Sequence, residues 1–215
     1  MRFTNDSDGG SAARRGRGVI ERLVRDGSVV ARSDGTLHDL FPVAADAAEG
    51  QALRDWVLRE GATRTVEIGL GILALHICEG LIGNAGQASR HVVIDPYQAT
   101  RFSDLGLQFL DESGISLPRF LDEARIFDLA FVDGNHRFDS IFVDLFYLER
   151  LVRPEEIVIL DDYQLPGVAR AALFFTSHLS CTAEENPPAD DLHQWATLRT
   201  SAVPDMRPFD YLVGF

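Results

Sequence analysis

The stretch Phe127 to Gly167, FDLAFVDGNHRFDSIFVDLFYLERLVRPEEIVILDDYQLPG, holds two apolar runs, a helical repeat between them and a group of carboxylates. Leu129, Phe131 and their neighbours form a short apolar run without a helical period. It breaks off at Asp133-Gly134-Asn135, which reads as a buried strand ending in a polar loop. Ile141, Phe142, Leu145, Phe146, Leu148 and Leu151 then recur at helical spacing, with Asp139, Asp144, Glu149 and Arg150 between them, the pattern of a core-facing helix. Pro154 stops that helix, and Ile157 to Leu160 is a second apolar, β-branched run that ends at Asp161-Asp162. Strand, crossover helix and strand in that order make a parallel pair whose ends lie on the same side.

Ligands of an open α/β sheet bind outside the carboxyl ends of its strands, so Asp133, Asn135, His136, Asp161 and Asp162 are expected to converge there. Three carboxylates in one crevice repel one another. A bound hard cation, which takes oxygen ligands, is one remedy, and a raised pKa on one carboxylate is the other. Arg137 is the one Lys or Arg in the adjoining motifs that could help. Against a site stands plain turn chemistry, since Asp and Asn also serve as N-caps and loop residues. Two adjacent aspartates directly after a buried strand favour the site.

Upstream, Thr65 to Ile68 reads as a strand, Gly69-Leu70-Gly71 as a tight turn and Ile72 to Ile82 as an apolar helix. Backbone N–H groups at such a helix start attract anions, and the missing side chains let a nucleotide approach. His91 to Ile94 is the next strand. It ends in Asp95, about twenty residues past the turn, where a carboxylate can accept both ribose hydroxyls. Together these features are a nucleoside-cofactor signature.

Ala44 to Gly61 reads as a helix, with Glu49-Gly50-Gln51 inside it. Before it, Val19 to Val24 is a short amphipathic helix and Leu37 to Val43 an apolar loop. The chain therefore divides into an arm and lid-like extension over residues 1–43 and a cofactor-binding domain over 44–215. Helices are expected over Thr100–Gly114 and Leu117–Ala124, with no third strand legible between them. Val168 to Leu179 is the last helix. Ser180–Glu184 and Gln194–Thr200 form an antiparallel closing pair, and Trp195 is read as core. The fold expected is α/β: a Rossmann-like, doubly wound, mostly parallel sheet with an antiparallel C-terminal strand and a helical N-terminal extension.

Composition narrows the function. A 215-residue chain with 46% hydrophobic content can bury a full core as one large domain. A net charge of −13 argues against nucleic-acid binding, which needs clustered Lys and Arg. Arg14, Arg15 and Arg17 lie in a Gly/Ser/Asp-rich start that reads as a solvated arm. Cys78 and Cys181, far apart in apolar or small-residue settings, favour inert thiols and a reducing cytosol. No apolar run approaches the roughly 20 residues of a membrane span, and no signal-peptide core is present, so a soluble, cytoplasmic protein is expected.

These residues resemble the class I S-adenosylmethionine-dependent methyltransferases, and within them the small-molecule O-methyltransferases of the catechol, caffeoyl-CoA and macrocin types. The likeness runs from about Glu49 to Thr200. It rests on Glu49-Gly50-Gln51 ahead of TRTVEIGLG, on VVIDPYQ, and most specifically on FDLAFVDGNH with VILDDYQLPG. The resemblance implies S-adenosylmethionine as cofactor, with Glu67, Gly69 and Gly71 lining its methionine end, Asp95 holding its ribose and Asp133 beside it. It also implies Mg²⁺ or a similar divalent cation chelated by Asp133, Asp161 and Asp162, binding the hydroxyl of a small-molecule acceptor. Methyl transfer from a sulfonium is an in-line displacement that mainly needs positioning, and a metal lowers the hydroxyl pKa. His136, three residues past Asp133, is the candidate general base, with Asp133 beside it. A homodimer is a further expectation, through the apolar N-terminal segments. Two other classes share part of this signature. A nicotinamide-dependent oxidoreductase would explain the glycine turn and Asp95 but not Asp161-Asp162, and a non-catalytic cofactor-binding or interaction protein is favoured by the absence of a third glycine after the turn.

Overall fold

The computed structural model describes residues 22, 25–30, 34–39, 47–85, 88–96, 109–110, 112–184, 194–203, 208, 211 and 214. Its chain divides into two compact units, residues 1–63 with 71–91 and residues 64–70 with 92–215. Most of the expected helix at Val19–Val24, of which Arg22 is described and helical, most of the Leu37–Val43 loop and most of the residues after 203 lie outside the described residues.

In the first unit, β1 (Ser28–Val30) and β2 (Leu37–Asp39) pair as an antiparallel hairpin, so part of the expected apolar loop is strand. The helices α1 (Ala47–Arg59) and α2 (Leu73–Ala85) pack on each other through glycines. A Cβ on Gly80 would lie 2.8 Å from the Val57 side chain, and one on Gly83 the same distance from Leu58. Asn84 ties the pair by donating to the carbonyls of Val57 and Ala62 at 2.8 and 2.9 Å. Gly50, the middle of the Glu49-Gly50-Gln51 motif, faces the His76 ring so closely that any side chain there would overlap it. Burial lowers the His76 pKa, with Glu79 opposing and Arg54 adding to the shift.

The second unit carries the sheet, of order β5-β4-β3-β6-β7-β9-β8. Its strands are β3 (Arg64–Ile68), β4 (Arg90–Ile94), β5 (Phe109–Leu110), β6 (Phe127–Val132), β7 (Val152–Leu160), β8 (Thr182–Ala183) and β9 (Ala196–Arg199). β4 and β5, β3 and β6, and β6 and β7 run parallel, whereas β9 is antiparallel to both β7 and β8. The expected Rossmann-like, mostly parallel sheet with an antiparallel end is the one observed. A third parallel strand does exist, β5 at Phe109–Leu110; residues 100–108 of the expected Thr100–Gly114 helix lie outside the described residues, and α3 (Ser113–Asp122) follows the strand. Two residues are too few to carry a readable strand pattern.

One face of the sheet is built from Val66, Ile68, Ala130, Val132, Val158, Leu160 and Leu198, packed with residues of α3, α4 (Phe138–Leu151) and α5 (Pro166–His178). In α4 the buried stripe is Ile141, Leu145, Leu148 and Leu151, with Asp144 among them. Phe146, expected in the core, is 39% exposed and lies under the Arg150 guanidinium, 3.8 Å from the ring centroid. Asp128, inside the apolar run of β6, is buried and pairs with Arg153, while its other oxygen accepts from Arg64 N at 2.9 Å. This links the starts of β3, β6 and β7. Trp195 is buried as expected, edge-on to Phe131 at 6.3 Å. Both cysteines are free, and burial, with Glu149 nearby, pushes the Cys181 thiol up to about 12, which keeps it protonated and unreactive. Among the described residues, no helix is long and apolar enough to cross a membrane.

Candidate active site at the strand ends

The site lies within the second unit, where the strands stop in step. Gly69 N donates to Ile94 O at 2.9 Å, Asp133 N to Ile68 O at 2.8 Å and Asp161 N to Val132 O at 2.9 Å. Each residue just past a strand is thus held by the last carbonyl of its neighbour. Gly69, Asp133 and Asp161 come out at one level, the convergence expected from strand topology.

Gly69 adopts a left-handed φ of +85°, and a side chain there would run into the Asp133 carbonyl. On the other side of the contact, a Cβ on Gly134 would lie 2.9 Å from the Ile68 side chain. The β6 loop and the β3 turn therefore touch backbone to backbone. Leu70 N donates to Asp95 Oδ2 at 3.0 Å, so the carboxylate expected at the ribose also fixes the glycine turn. Asp95 is 7% exposed. Glu67 is fully buried one step earlier on β3, in register with Phe131. Gly71 belongs to the first unit, where it is exposed and its carbonyl accepts from Ala74 N at the start of α2.

The imidazole of His136 stands between two of the expected carboxylates. Its Nε2 is 3.6 Å from Asp133 Oδ1 and 3.5 Å from Asp162 Oδ2, and the ring is about a quarter exposed. Hydrogen bonding to Asp133 raises the His136 pKa, burial opposes this, and the charges of Asp162, Asp133 and Asp161 raise it further. An imidazole thus stands among the carboxylates whose repulsion the sequence anticipates. Arg137 does not contribute: it is exposed and pairs with Asp139 at 3.3 Å. Asn135 also turns out to be a turn residue, its Oδ1 accepting from Arg137 N at 3.2 Å.

Asp161 and Asp162 have different tasks. Asp161 Oδ1 accepts from Asp162 N at 2.9 Å, which helps hold Asp162 at a left-handed φ of +55°. Oxygen Oδ1 of Asp162 then accepts from Gln164 Nε2 at 2.6 Å, leaving Oδ2 toward His136. Gln164 was not singled out by sequence reading, since a glutamine in a loop carries no pattern. Gly167, at the start of α5, was quoted only as part of LPG. A Cβ there would lie 2.6 Å from His136 O and 2.9 Å from Phe138 N, so α5 begins directly against the His136 loop.

The donor atoms of Asp133, Asp161 and Asp162 are those a hard cation takes, but their arrangement does not fit one. The His136 ring fills the gap between Asp133 and Asp162, and Asp161 is turned to a backbone N–H. Among the described residues, no three His, Cys, Asp or Glu side chains are grouped as metal ligands.

Residues 66–163 match the family described as methyltransferase domain. Comparison with curated proteins finds no match. Among solved structures the fold resembles that of cofactor-bound Rv0187 from MTB, at 17% identity and a TM-score of 0.60, with 93% of this chain and 92% of that one covered. It resembles the O-methyltransferase from Bacillus cereus in complex with SAH at 16% identity and a TM-score of 0.60, with 85% and 91% covered. A third likeness is to the O-methyltransferase TomG from Streptomyces achromogenes, involved in tomaymycin synthesis and solved with SAM: 20% identity, TM-score 0.57, 94% and 93% covered. The stretch from Val66 to Tyr163, with the glycine turn, Asp95, Asp133 and the Asp161-Asp162 pair in it, is thus similar to the methyltransferase domain, and the chain has the Rossmann-like fold of the solved methyltransferases it resembles.

Proposed function

We propose that this chain methylates a hydroxyl of a small molecule, with S-adenosylmethionine as donor and His136 as general base. The observation that carries the reading is the seat of His136 between Asp133 and Asp162 at the strand ends, beside the Gly69 turn. Bound S-adenosylmethionine supplies a methyl on a positively charged sulfonium. Glu67 and Gly69 would line its methionine end and Asp95 its ribose. Two carboxylates near Nε2 favour the tautomer with the proton there, which leaves the lone pair on Nδ1. Nδ1 of His136 would take the proton of the acceptor hydroxyl, freeing that oxygen for transfer of the methyl that the cofactor supplies. General-base assistance of this kind contributes about 10²–10⁴-fold.

Assistance by a divalent cation is a second reading, favoured by three carboxylates on adjacent strand ends. No step is assigned to it here, because His136 occupies the gap that the ion would need. A cytoplasmic protein with no nucleic-acid or membrane partner fits the charge balance.

Calorimetric titration of the full chain with S-adenosylhomocysteine and with NAD, with and without Mg²⁺, tests the reading. Saturable heat with S-adenosylhomocysteine and none with NAD is expected. Binding of NAD alone would transfer the chain to the oxidoreductases. Turnover of hydroxylated probes in excess EDTA is expected to persist, and its loss, restored by Mg²⁺, would decide for the metal. Bound cofactor that never turns over with any acceptor would leave a binding protein.

A further inference from the structure

We infer that Gln164 is a positioning residue for His136, acting through Asp162, and that it ties the β7–α5 loop to the strand next door. The inference rests on the base role proposed for His136. Gln194 N donates to Gln164 Oε1 at 2.9 Å. A backbone N–H can only donate, so the amide of Gln164 has one permitted orientation, with its NH₂ toward Asp162. That NH₂ meets Asp162 Oδ1 at 2.6 Å. Oδ1 is thereby occupied, and Oδ2 is the oxygen presented to His136 Nε2 at 3.5 Å.

The frame around this relay is rigid on the backbone side. Tyr163 N donates to Gln194 O at 2.7 Å, so residues 163 and 164 both grip Gln194 immediately before β9. Leu165 N returns to Asp162 O at 2.9 Å, closing a turn around the left-handed Asp162. Only the Asp162 side chain would be loose without a partner, and Gln164 is that partner. A carboxylate free to rotate would not hold an imidazole in one orientation, whereas one clamped at its far oxygen does.

The test is the state of the His136 ring in the full-length, ¹⁵N-labelled protein at fixed pH, its signals assigned by their loss in His136→Gln. Asp162→Asn sets the scale. Gln164→Leu is expected to move the His136 Nε2 resonance in the same direction and roughly half as far or more, with the other histidines unmoved, as for loss of an orienting partner. Gln164→Met, which keeps an unbranched chain, replaces it should the leucine variant fold poorly. With catechol as the acceptor probe, kcat is expected to fall about tenfold, while KM for S-adenosylmethionine stays within about twofold. His136 resonances that do not move in the Gln164 variants, or in Asp162→Asn, overturn the inference. Absence of S-adenosylhomocysteine binding by the parent protein would instead strike the methyltransferase reading, and the ring signals would still judge Gln164.

Discussion

Asp144 carries a carboxylate into the packing between α3 and α4. It is 1% exposed, and its Oδ1 has no hydrogen-bond partner. Burial pushes its pKa from the ordinary 3.8 up to about 6, against a weaker opposing hydrogen bond to Ser113. An acid bound more tightly to its proton in the fold than in the unfolded chain stabilises the fold when protonated. Its contribution is therefore full below about pH 4 and is lost as pH rises through about 6. Asp144→Asn is expected to raise stability at pH 7.5 by about 1–3 kcal/mol and to flatten the decline between pH 4 and pH 6. Urea unfolding of both proteins across that range checks it, and parallel pH curves would dispose of the assignment. In sequence Asp144 reads as a solvated residue between core positions, because hydrophobic periodicity places a stripe only to within a neighbouring position. The same uncertainty put Phe146 in the core, where Ile141, Leu145 and Leu148 already fill the space. Asp133, Asp161, Asp162 and His136 were legible as candidates, since strand ends gather polar residues. That His136 would sit between two of the acids depends on loop geometry that spacing does not encode.

Two turns and one helix start meet at the His136 loop, and each contact is made where a side chain is missing: Gly69 against Asp133, Gly134 against Ile68 and Gly167 against His136. Gly167→Ala is expected to cost about 1–3 kcal/mol by overpacking, because the atoms it meets are backbone and cannot swing aside. Displacing the His136 carbonyl should also lower kcat by more than the loss of stability accounts for. Melting temperature and kcat measured on the same preparation separate the two effects, and an alanine variant equal to the parent in both would show that the contact is slack. Most long elements were readable, since their apolar runs span enough residues to fix a period. The two-residue β5 and the β1–β2 hairpin were not. β5 is defined by its pairing with β4, not by its own composition, and the hairpin leaves Val30 and Leu37 outward at 64% and 65% exposure.

At the scale of the molecule, the residues before α1 remain the segment proposed to serve acceptor binding or pairing of two subunits. Deleting the first 40 residues is expected to impair turnover or dimerisation while S-adenosylhomocysteine affinity changes by less than about twofold, since the proposed cofactor contacts start at Glu67. Calorimetry, light scattering and an activity assay on the truncated chain check this, and a deletion indistinguishable from the parent in all three would remove the idea. The order of strands has a consequence of another kind. β9 lies between β7 and β8, yet it is the last of the three in the chain. During synthesis β7 therefore leaves the ribosome with Ile157–Leu160 unpaired along one edge, and β8 emerges with nothing to join. Both wait for Ala196–Arg199. A chain ended before Ala196 would leave the apolar Ile157–Leu160 run as an open edge, the form in which unfinished sheets recruit one another.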